Sequence, residues 1–411
     1  MRDSIKFIHA ADLHLDSPFV GLKHLPPEFL EKMRESTFLA FSRLVTFAIN
    51  KRVDFILLSG DLYDEEDRSL KAQLKLKKEF ERLANANIEV YVIHGNHDHM
   101  GGNWIELSWP ENIHIFSSEQ VEMKIYEKNK QPLAYIYGYS YPSRSVRENI
   151  TAKYQKVDNA SVYHIGMLHG SIEGNDEHDV YCPFKLTELI EKKFDYWALG
   201  HIHKRQLLHE DPVIAYPGNI QGRHRKEAGE KGFYFVDMKE DAPILTFVSV
   251  EEVIWDKIQI SIDTLTTMTD LLHECRLSIE QLRQRGKPTL LTIEFIGTGN
   301  LAANLHSHET LQDMMDDLNE EEHSDQPVIW IYKMTNQTYL YEENTKLESF
   351  FNDLHESVEQ FDAFNDVLQP LMSHPLYRRY IDEFTSEEQQ QLLKEAEKLL
   401  RQEILLQSEV K

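Results

Sequence analysis

The sequence predicts an α/β protein, and three observations carry that prediction. From residue 5 to about residue 200, short β-rich apolar runs alternate with longer stretches whose apolar residues recur at helical spacing. The residues with chemistry in them, histidines and carboxylates, follow the ends of those short runs. Hydrophobic residues make up 41% and aromatics 10% of 411 residues, enough for real cores and too long a chain for one of them.

In chain order, the strand candidates are Lys6–Ile8, Val53–Leu58, Val90–Ile93, Ala134–Tyr137, Tyr163–Leu168 and Tyr196–Leu199. Two helical patterns lie between them. Residues 28–50 carry Phe29, Met33, Phe38, Phe41, Leu44, Val45 and Ala48, and residues 68–86 carry Leu70, Leu74, Leu76, Phe80, Leu83 and Ala84. Further β-rich runs at Val213–Tyr216, Gly232–Val236 and Leu245–Val248 bring a first domain, residues 1–250, to its end. A smaller β-α-β-α-β domain, residues 251–340, is built from strands at Lys257–Ile262, Thr289–Phe295 and Val328–Tyr332, with helices over residues 265–283 and 311–318 between them. The acidic run Glu320-Glu321-Glu322 reads as a solvated helix end. Residues 341–411 show no strand signal. Their last helix starts at a capping-box pattern, Thr385-Ser386-Glu387-Glu388, and carries an apolar stripe from Leu392 to Ile404 that needs a surface to cover it.

Bulk properties exclude several classes. A net charge of −25 argues against a protein that coats nucleic acid, though not against a local basic groove. Cys182 and Cys275 make no ligand-like pair, which excludes a disulfide framework and a zinc–thiolate site. No apolar stretch reaches the length of a membrane span and the first residues carry no signal-type core, so a cytoplasmic protein without membrane attachment is expected.

Five strand ends deliver the candidate site. They carry Asp12-Leu13-His14, Gly60-Asp61, Gly95-Asn96-His97-Asp98, His169-Gly170 and Gly200-His201-Ile202-His203. In extended chain, alternate residues point the same way, so Asp12 and His14, or His201 and His203, can grip one ion. Glycines at 60, 95 and 200 let the backbone turn tightly beside it. Asp12, His14, Asp61, Asn96, His169, His201 and His203 form a mixed nitrogen and oxygen set that suits Mn, Fe or Zn better than Mg or Ca. Seven donors exceed the needs of one ion left open to substrate; two ions, roughly 3.5–4 Å apart and bridged by a carboxylate, fit better. His97 is free to move a proton and Asp98 is placed to orient it.

Taken together, these motifs resemble the signature of the calcineurin-like metallophosphoesterases over about residues 5–205. Within that superfamily, His9–Asp16, Gly60–Asp64, the Tyr216-Pro217-Gly218-Asn219 turn and the modules after the core are similar to the SbcD-type DNA repair nucleases. Over its whole length the chain looks most like the bacterial YhaO-type proteins. The resemblance implies a metallophosphoesterase-type β-sandwich flanked by helices, then a small α+β capping domain and a helical tail. It implies that Asp12, His14, Asp61 and His203 hold one ion, and that Asp61, Asn96, His169 and His201 hold the other, with Mn the expected metal. It implies in-line attack by a hydroxide held at the metals, with His97 as acid toward the leaving oxygen and Asp98 behind it. Asp64 stands where the eukaryotic and archaeal nucleases have a second catalytic histidine, and Gln221-Gly222-Arg223 follows the Pro-Gly-Asn turn in place of the usual serine pattern.

Lys204 and Arg205, with Arg223, Arg225 and Lys226, flank the expected rim where phosphate contacts are needed; Arg144 and Arg147 are further basic residues, and Tyr141, Tyr181 and Trp104 are candidate base-stacking rings. The leading expectation is a DNA exo/endonuclease in DNA repair. Its partners would be DNA, an SMC-like ATPase whose coiled coil takes the C-terminal helices, and a second copy of the chain. A phosphatase or diesterase on small nucleotides or phosphoproteins, and a weakly catalytic scaffold, are the alternatives that the net charge of −25 favours.

Overall fold

The structure, a computed structural model, describes residues 2–19, 22, 25–64, 68–102, 105, 107–174, 181–239, 243–322, 327–340, 348–361, 363–364, 366–368 and 386–409. The chain divides into two units. One is Met1–Asp256 with Arg285–Leu290 and Ser324–Val328; the other is Lys257–Gln284, Leu291–His323 and Ile329–Lys411.

The first unit is built on two mixed six-stranded sheets. The first sheet runs β12 (Ile244–Ser249), β11 (Gly232–Met238), β1 (Ile5–Ala10), β2 (Phe55–Ser59), β3 (Glu89–Ile93), β4 (Ile113–Ile115). The second runs β5 (Glu122–Lys128), β6 (Gln131–Gly138), β7 (Tyr163–His169), β8 (Tyr196–Gly200), β10 (Val213–Tyr216), β9 (Gln206–Glu210). The strands of their centres, β1-β2-β3 and β6-β7-β8, are parallel, so their carboxyl ends emerge on one side of each sheet. Strands buried on both faces explain why these runs read as continuously apolar and not as alternating.

The two sheets pack face to face. Phe7, Phe55, Leu57, Tyr91 and Ile93 of the first meet Tyr163, Ile165, Met167, Tyr196 and Ala198 of the second in one cluster. The stacked rings of Phe7 and Phe55, 5.1 Å apart, and Tyr196 edge-on to Phe7 at 5.2 Å, fill its middle. Helices α1 (Pro27–Lys51) and α2 (Leu70–Asn85) bury Phe41, Leu44, Leu76 and Phe80 against the outer face of the first sheet. Proline at the first turn starts α1, and the Ser69 hydroxyl caps α2 by accepting from Ala72 N at 3.0 Å. The short α3 (Leu186–Glu191) covers the outer face of the second sheet, with Trp197 Nε1 donating to Leu189 O at 3.2 Å. The layers are therefore helix, sheet, sheet, helix, the β-sandwich architecture expected. The periodic patterns did not reveal β4, β5, β9 or α3. These elements are short or, as in β5, carry mostly half-exposed and exposed side chains, so they lack a run of apolar residues.

The second unit carries a three-stranded sheet in the order β13 (Ile254–Ser261), β14 (Thr289–Thr298), β15 (Ile329–Tyr339). α4 (Met268–Arg283), α5 (Ala302–Leu305) and α6 (His308–Glu320) contribute Leu271, Cys275, Ile279, Leu305, Met314 and Leu318 to its core. A capping box of Thr267 and Asp270 opens α4. The acidic run is not simply solvated: Glu322 is almost wholly buried in an ion pair with Arg283 at 2.6 Å, and it also accepts from Ile329 N. The tail contains α7 (Glu348–Glu359) and α8 (Ser386–Glu409), joined by His355 on Glu397 and by Arg401 donating to Phe351 O at 3.0 Å. Thr385, the first residue of the expected capping box, lies outside the described residues.

Candidate metal centre

Four of the seven predicted ligands leave their strands through backbone that L-residues rarely adopt. Asp12 has φ 52°, His14 φ 42°, Asp61 φ 52° and His201 φ 99°. Left-handed backbone at four non-glycine residues in one place marks a site where geometry is bought with strain. The loops hold one another: Asp12 N donates to Gly60 O and His14 N to Asp61 O, both at 3.0 Å, and His201 N donates to the Asp12 carboxylate at 3.0 and 3.1 Å. Gly95 is required by close approach. A Cβ there would lie 2.4 Å from Asp61 Oδ1 and 2.6 Å from His169 Nε2.

Donor atoms converge in three overlapping groups: Asp12, His14 and His203; Asp12, Asp61 and His169; and His14, Asp64 and His97. Asp61 Oδ2 stands between two imidazoles, 3.9 Å from His14 Nε2 and 3.4 Å from His169 Nε2. Asn96 Oδ1 is 3.0 Å from His169 Nε2, and the His201 ring lies 5.3 Å from that of His169.

The tautomers test whether this set suits a cation. His169 Nδ1 is 2.9 Å from Ser59 O and His203 Nδ1 is 2.6 Å from Glu227 Oε1. A carbonyl or carboxylate oxygen only accepts, so each Nδ1 carries the proton and each Nε2 presents a lone pair inward. His14 Nδ1 lies 3.0 Å from Asp64 Oδ1 without making a hydrogen bond to it. The His14 and His203 Nε2 atoms stand 3.1 Å apart, and His169 Nε2 faces the Asn96 and Asp61 oxygens. Imidazole nitrogens and carboxylate oxygens gathered this closely are a donor set that a divalent cation satisfies, so the residues fit the group. Without an ion, a proton takes its place: burial alone would depress His169, but the Asp61 carboxylate outweighs it and raises the imidazole to about 9, so a cation at His169 Nε2 displaces a proton. Burial raises the Asp12 carboxyl despite His203 and His169 beside it, whereas at Asp61 the neighbouring His169 overrides burial and holds the carboxyl well below its ordinary range.

The structure corrects the expectation for Asp98. Its carboxylate does not serve His97; it accepts from Gly95 N at 2.7 Å, Leu62 N at 2.9 Å, Asp61 N at 3.2 Å and His94 Nδ1 at 2.9 Å. Asp98 therefore pins the Gly-Asn-His-Asp turn to the Gly60-Asp61 loop, and Arg68 holds it from below through the Asp98 carbonyl. His97 is oriented by another group, the backbone carbonyl of Asp64, to which its Nδ1 donates at 2.7 Å. The half-buried His97 ring lies edge-on to His14, with centroids 4.9 Å apart.

The basic residues divide. The Arg223 guanidinium is engaged by the Asp64 carboxylate and does not reach out as a free phosphate contact, whereas Arg205 lies over the Phe247 ring at 3.8 Å and stays exposed. Lys204 and Arg225 are exposed, as are Lys226, Arg144 and Arg147. Tyr141 is wholly buried, its hydroxyl donating to His169 O at 2.8 Å, so it cannot stack a base. Tyr181 lies edge-on to His201 at 5.5 Å, and Trp104 falls outside the described residues. Sequence reasoning missed Glu227. It is buried and accepts from His203 Nδ1, Asn219 Nδ2 and Arg223 N, and these partners hold its carboxyl below the usual range against the cost of burial. Its one sequence signal was its place a short turn beyond Pro217-Gly218-Asn219.

Fold and centre together define a class: the chain belongs to the calcineurin-like metallophosphoesterases, whose family description, calcineurin-like phosphoesterase, matches residues 5–205. More particularly, the middle domain of the metallophosphoesterase YhaO matches residues 255–339. The chain is 42% identical to the uncharacterized metallophosphoesterase YhaO of Bacillus subtilis over 98% of its own length and 99% of that protein's. It is 26% identical to the DNA double-strand break repair protein Mre11 of Sulfolobus acidocaldarius over 72% of this chain and 75% of that one. With Mre11 of Methanocaldococcus jannaschii it is 28% identical over 56% of this chain and 62% of that one. Among the described residues, no helix is long and apolar enough to cross a membrane.

Proposed function

We propose that the chain is a dinuclear-metal phosphodiesterase that cuts DNA, with residues 1–250 catalytic, 251–340 a capping domain and 341–411 a partner-binding tail. The observation that carries the reading is the convergence of the His14, His203 and His169 Nε2 atoms on the Asp12 and Asp61 carboxylates. Two divalent ions, Mn in the first instance, would be held by Asp12, His14, Asp61 and His203 and by Asp61, Asn96, His169 and His201. Bound there, they supply water activation and charge neutralisation at phosphorus. The chain's own contribution is His97. With Nδ1 fixed on the Asp64 carbonyl, its Nε2 is the atom that gives a proton to the leaving oxygen. Exposed Lys204, Arg205 and Arg225 are the remaining phosphate contacts.

Relatives named for DNA double-strand break repair support DNA as substrate, and by the same analogy the chain works as a homodimer. An SMC-like ATPase is the proposed partner of the tail, whose α7 and α8 leave Phe350, Leu392, Leu399 and Leu400 exposed. The test is cleavage of end-labelled single- and double-stranded DNA with Mn²⁺, beside an aryl phosphodiester. Hydrolysis of the aryl ester with no cut in either DNA would defeat the nuclease reading. It would favour the second reading, a phosphatase or diesterase on small nucleotides or phosphoproteins, to which the net charge of −25 also points. Removing residues 385–411 is expected to abolish co-purification with the ATPase while sparing metal binding; retained co-purification removes the partner.

A further inference from the structure

Strand β7 runs past the end of its neighbour. β6 pairs with it only as far as Gly166, yet β7 continues to His169. Successive residues of a strand bond to opposite edges. The even-numbered ones here bond toward β8: His164 O accepts from Asp195 N at 2.8 Å and Gly170 N donates to Gly200 O at 3.1 Å. The carbonyls of Met167 and His169 therefore face the edge where β6 has stopped, and buried carbonyls need donors. Tyrosine hydroxyls supply them. Tyr154 Oη donates to Met167 O at 2.6 Å and Tyr141 Oη to His169 O at 2.8 Å, while on the β8 edge Tyr216 Oη donates to Gly170 O at 2.6 Å. All three tyrosines are wholly buried. Tyr141 reaches further than the others. Its ring stands edge-on to the His169 imidazole, with centroids 5.5 Å apart. Its N–H donates to His94 O at 3.0 Å and its carbonyl accepts from Met100 N at 2.8 Å, so its backbone holds both ends of the turn that carries Asn96.

We infer that Tyr141 is a positioning residue of the metal centre, setting the separation of Asn96 and His169, and that Tyr216 steadies the same His169-Gly170 turn from its other edge. Asn96 comes from the first sheet and His169 from the second, and Asn96 Oδ1 lies 3.0 Å from His169 Nε2. The Ser59 carbonyl at Nδ1 fixes how the His169 ring is turned, but the ring travels with its backbone, and the hydroxyls hold that backbone. Without the Tyr141 hydroxyl, His169 O loses a buried donor and the turn is free to shift, which moves Nε2 against Asn96 and Asp61. The inference rests on the metal-centre reading proposed above. Tyr154 is the control built into the fold: the same group, equally buried, on the same strand, two residues further from the ligand.

The experiment is calorimetric titration of the metal-free full chain with Mn²⁺ alone. Tyr141→Phe removes one oxygen atom and should weaken Mn²⁺ binding by about 10- to 100-fold, with Tyr216→Phe moving in the same direction and Tyr154→Phe staying within about twofold of wild type. Melting and far-UV circular dichroism of the metal-free variants separate lost position from lost stability: Tyr154→Phe should lower the melting temperature about as much as Tyr141→Phe does, yet spare the ions. Because the hydroxyl acts through the imidazole, adding Tyr141→Phe to a His169→Ala chain should change the Mn²⁺ affinity that remains by less than about twofold. Tyr141→Phe binding within twofold of wild type overturns the inference. So does equal weakening by Tyr154→Phe, which would mean general loosening of β7, or a full penalty in the His169→Ala chain, which would mean an effect that bypasses His169. If Tyr141→Phe does not fold, Tyr216→Phe set against Tyr154→Phe decides by the same criterion. A wild-type chain that takes up no Mn²⁺ overturns the metal centre itself, a failure distinct from the others.

Discussion

Gly95→Ala offers the sharpest test of how closely the ligand atoms are packed. The added methyl would sit 2.4 Å from Asp61 Oδ1, 2.6 Å from His169 Nε2 and 2.7 Å from His169 Cε1. That is about 1 Å short of ordinary contact, and overpacking of this kind costs about 1–3 kcal/mol. The backbone cannot easily retreat, because Gly95 N is held by Asp98 Oδ1 at 2.7 Å. Relief therefore comes from displacing the Asp61 carboxylate and the His169 ring, while a metal site tolerates shifts of only about 0.2 Å in its ligands. Charged against ion binding, 1–3 kcal/mol corresponds to Mn²⁺ affinity about 5- to 150-fold weaker. Calorimetric titration of the variant measures it, with Gly299→Ala as control, since the nearest atom to a Cβ there is at 3.4 Å. A Gly95→Ala chain that binds two ions within twofold of wild type would refute the reasoning.

Three further outcomes are expected. His97→Ala should lower kcat by about 10²- to 10⁴-fold with Mn²⁺ stoichiometry unchanged, and an unaltered rate would end its assignment as the acid. Asp98→Ala should destabilise the chain by about 3–5 kcal/mol in denaturant titration, because it strands the Gly95, Leu62 and Asp61 N–H groups together with His94; a loss under 1 kcal/mol would mean the loops hold without it. Burial pushes both thiols, Cys182 and Cys275, up to about 12, so at pH 8 only about 10⁻⁴ of each is thiolate. Alkylation by iodoacetamide should then be negligible until denaturant is added and should accelerate as pH rises; rapid labelling of the folded chain at pH 8 would contradict their burial.

Much of this site was legible because its signals are local. Asp12-x-His14 and His201-x-His203 each lie within three residues, and each follows a buried β run, so pattern and position coincide. The central strands were legible for the same reason: β1, β2, β3, β7 and β8 each contain a short unbroken apolar run, such as Phe55–Leu58 and Val90–Ile93. What could not be read is what depends on distant partners. Sequence proximity suggested Asp98 for His97, yet the turn aims that carboxylate at residues 61 and 62 and leaves His97 to a carbonyl at position 64. Arg223 looked like a rim cation because nothing nearby in sequence announces Asp64 as its counter-ion. Glu227 had no pattern of its own, only a fold that brings it to His203.

The donors are divided between the sheets. Asp12, His14, Asp61 and Asn96 leave β1, β2 and β3, while His169, His201 and His203 leave β7 and β8. A cation held in common by both sets is thus a rivet through the mouth of the sandwich, placed where loops rather than the Phe7–Tyr196 core would otherwise keep the layers together. Mass action then ties the fold to metal supply: at an ion concentration 100 times its dissociation constant, one such rivet adds about 2.7 kcal/mol to the unfolding free energy. A chain starved of metal would loosen first at this rim, and protease sensitivity of its loops would report the cell's metal status.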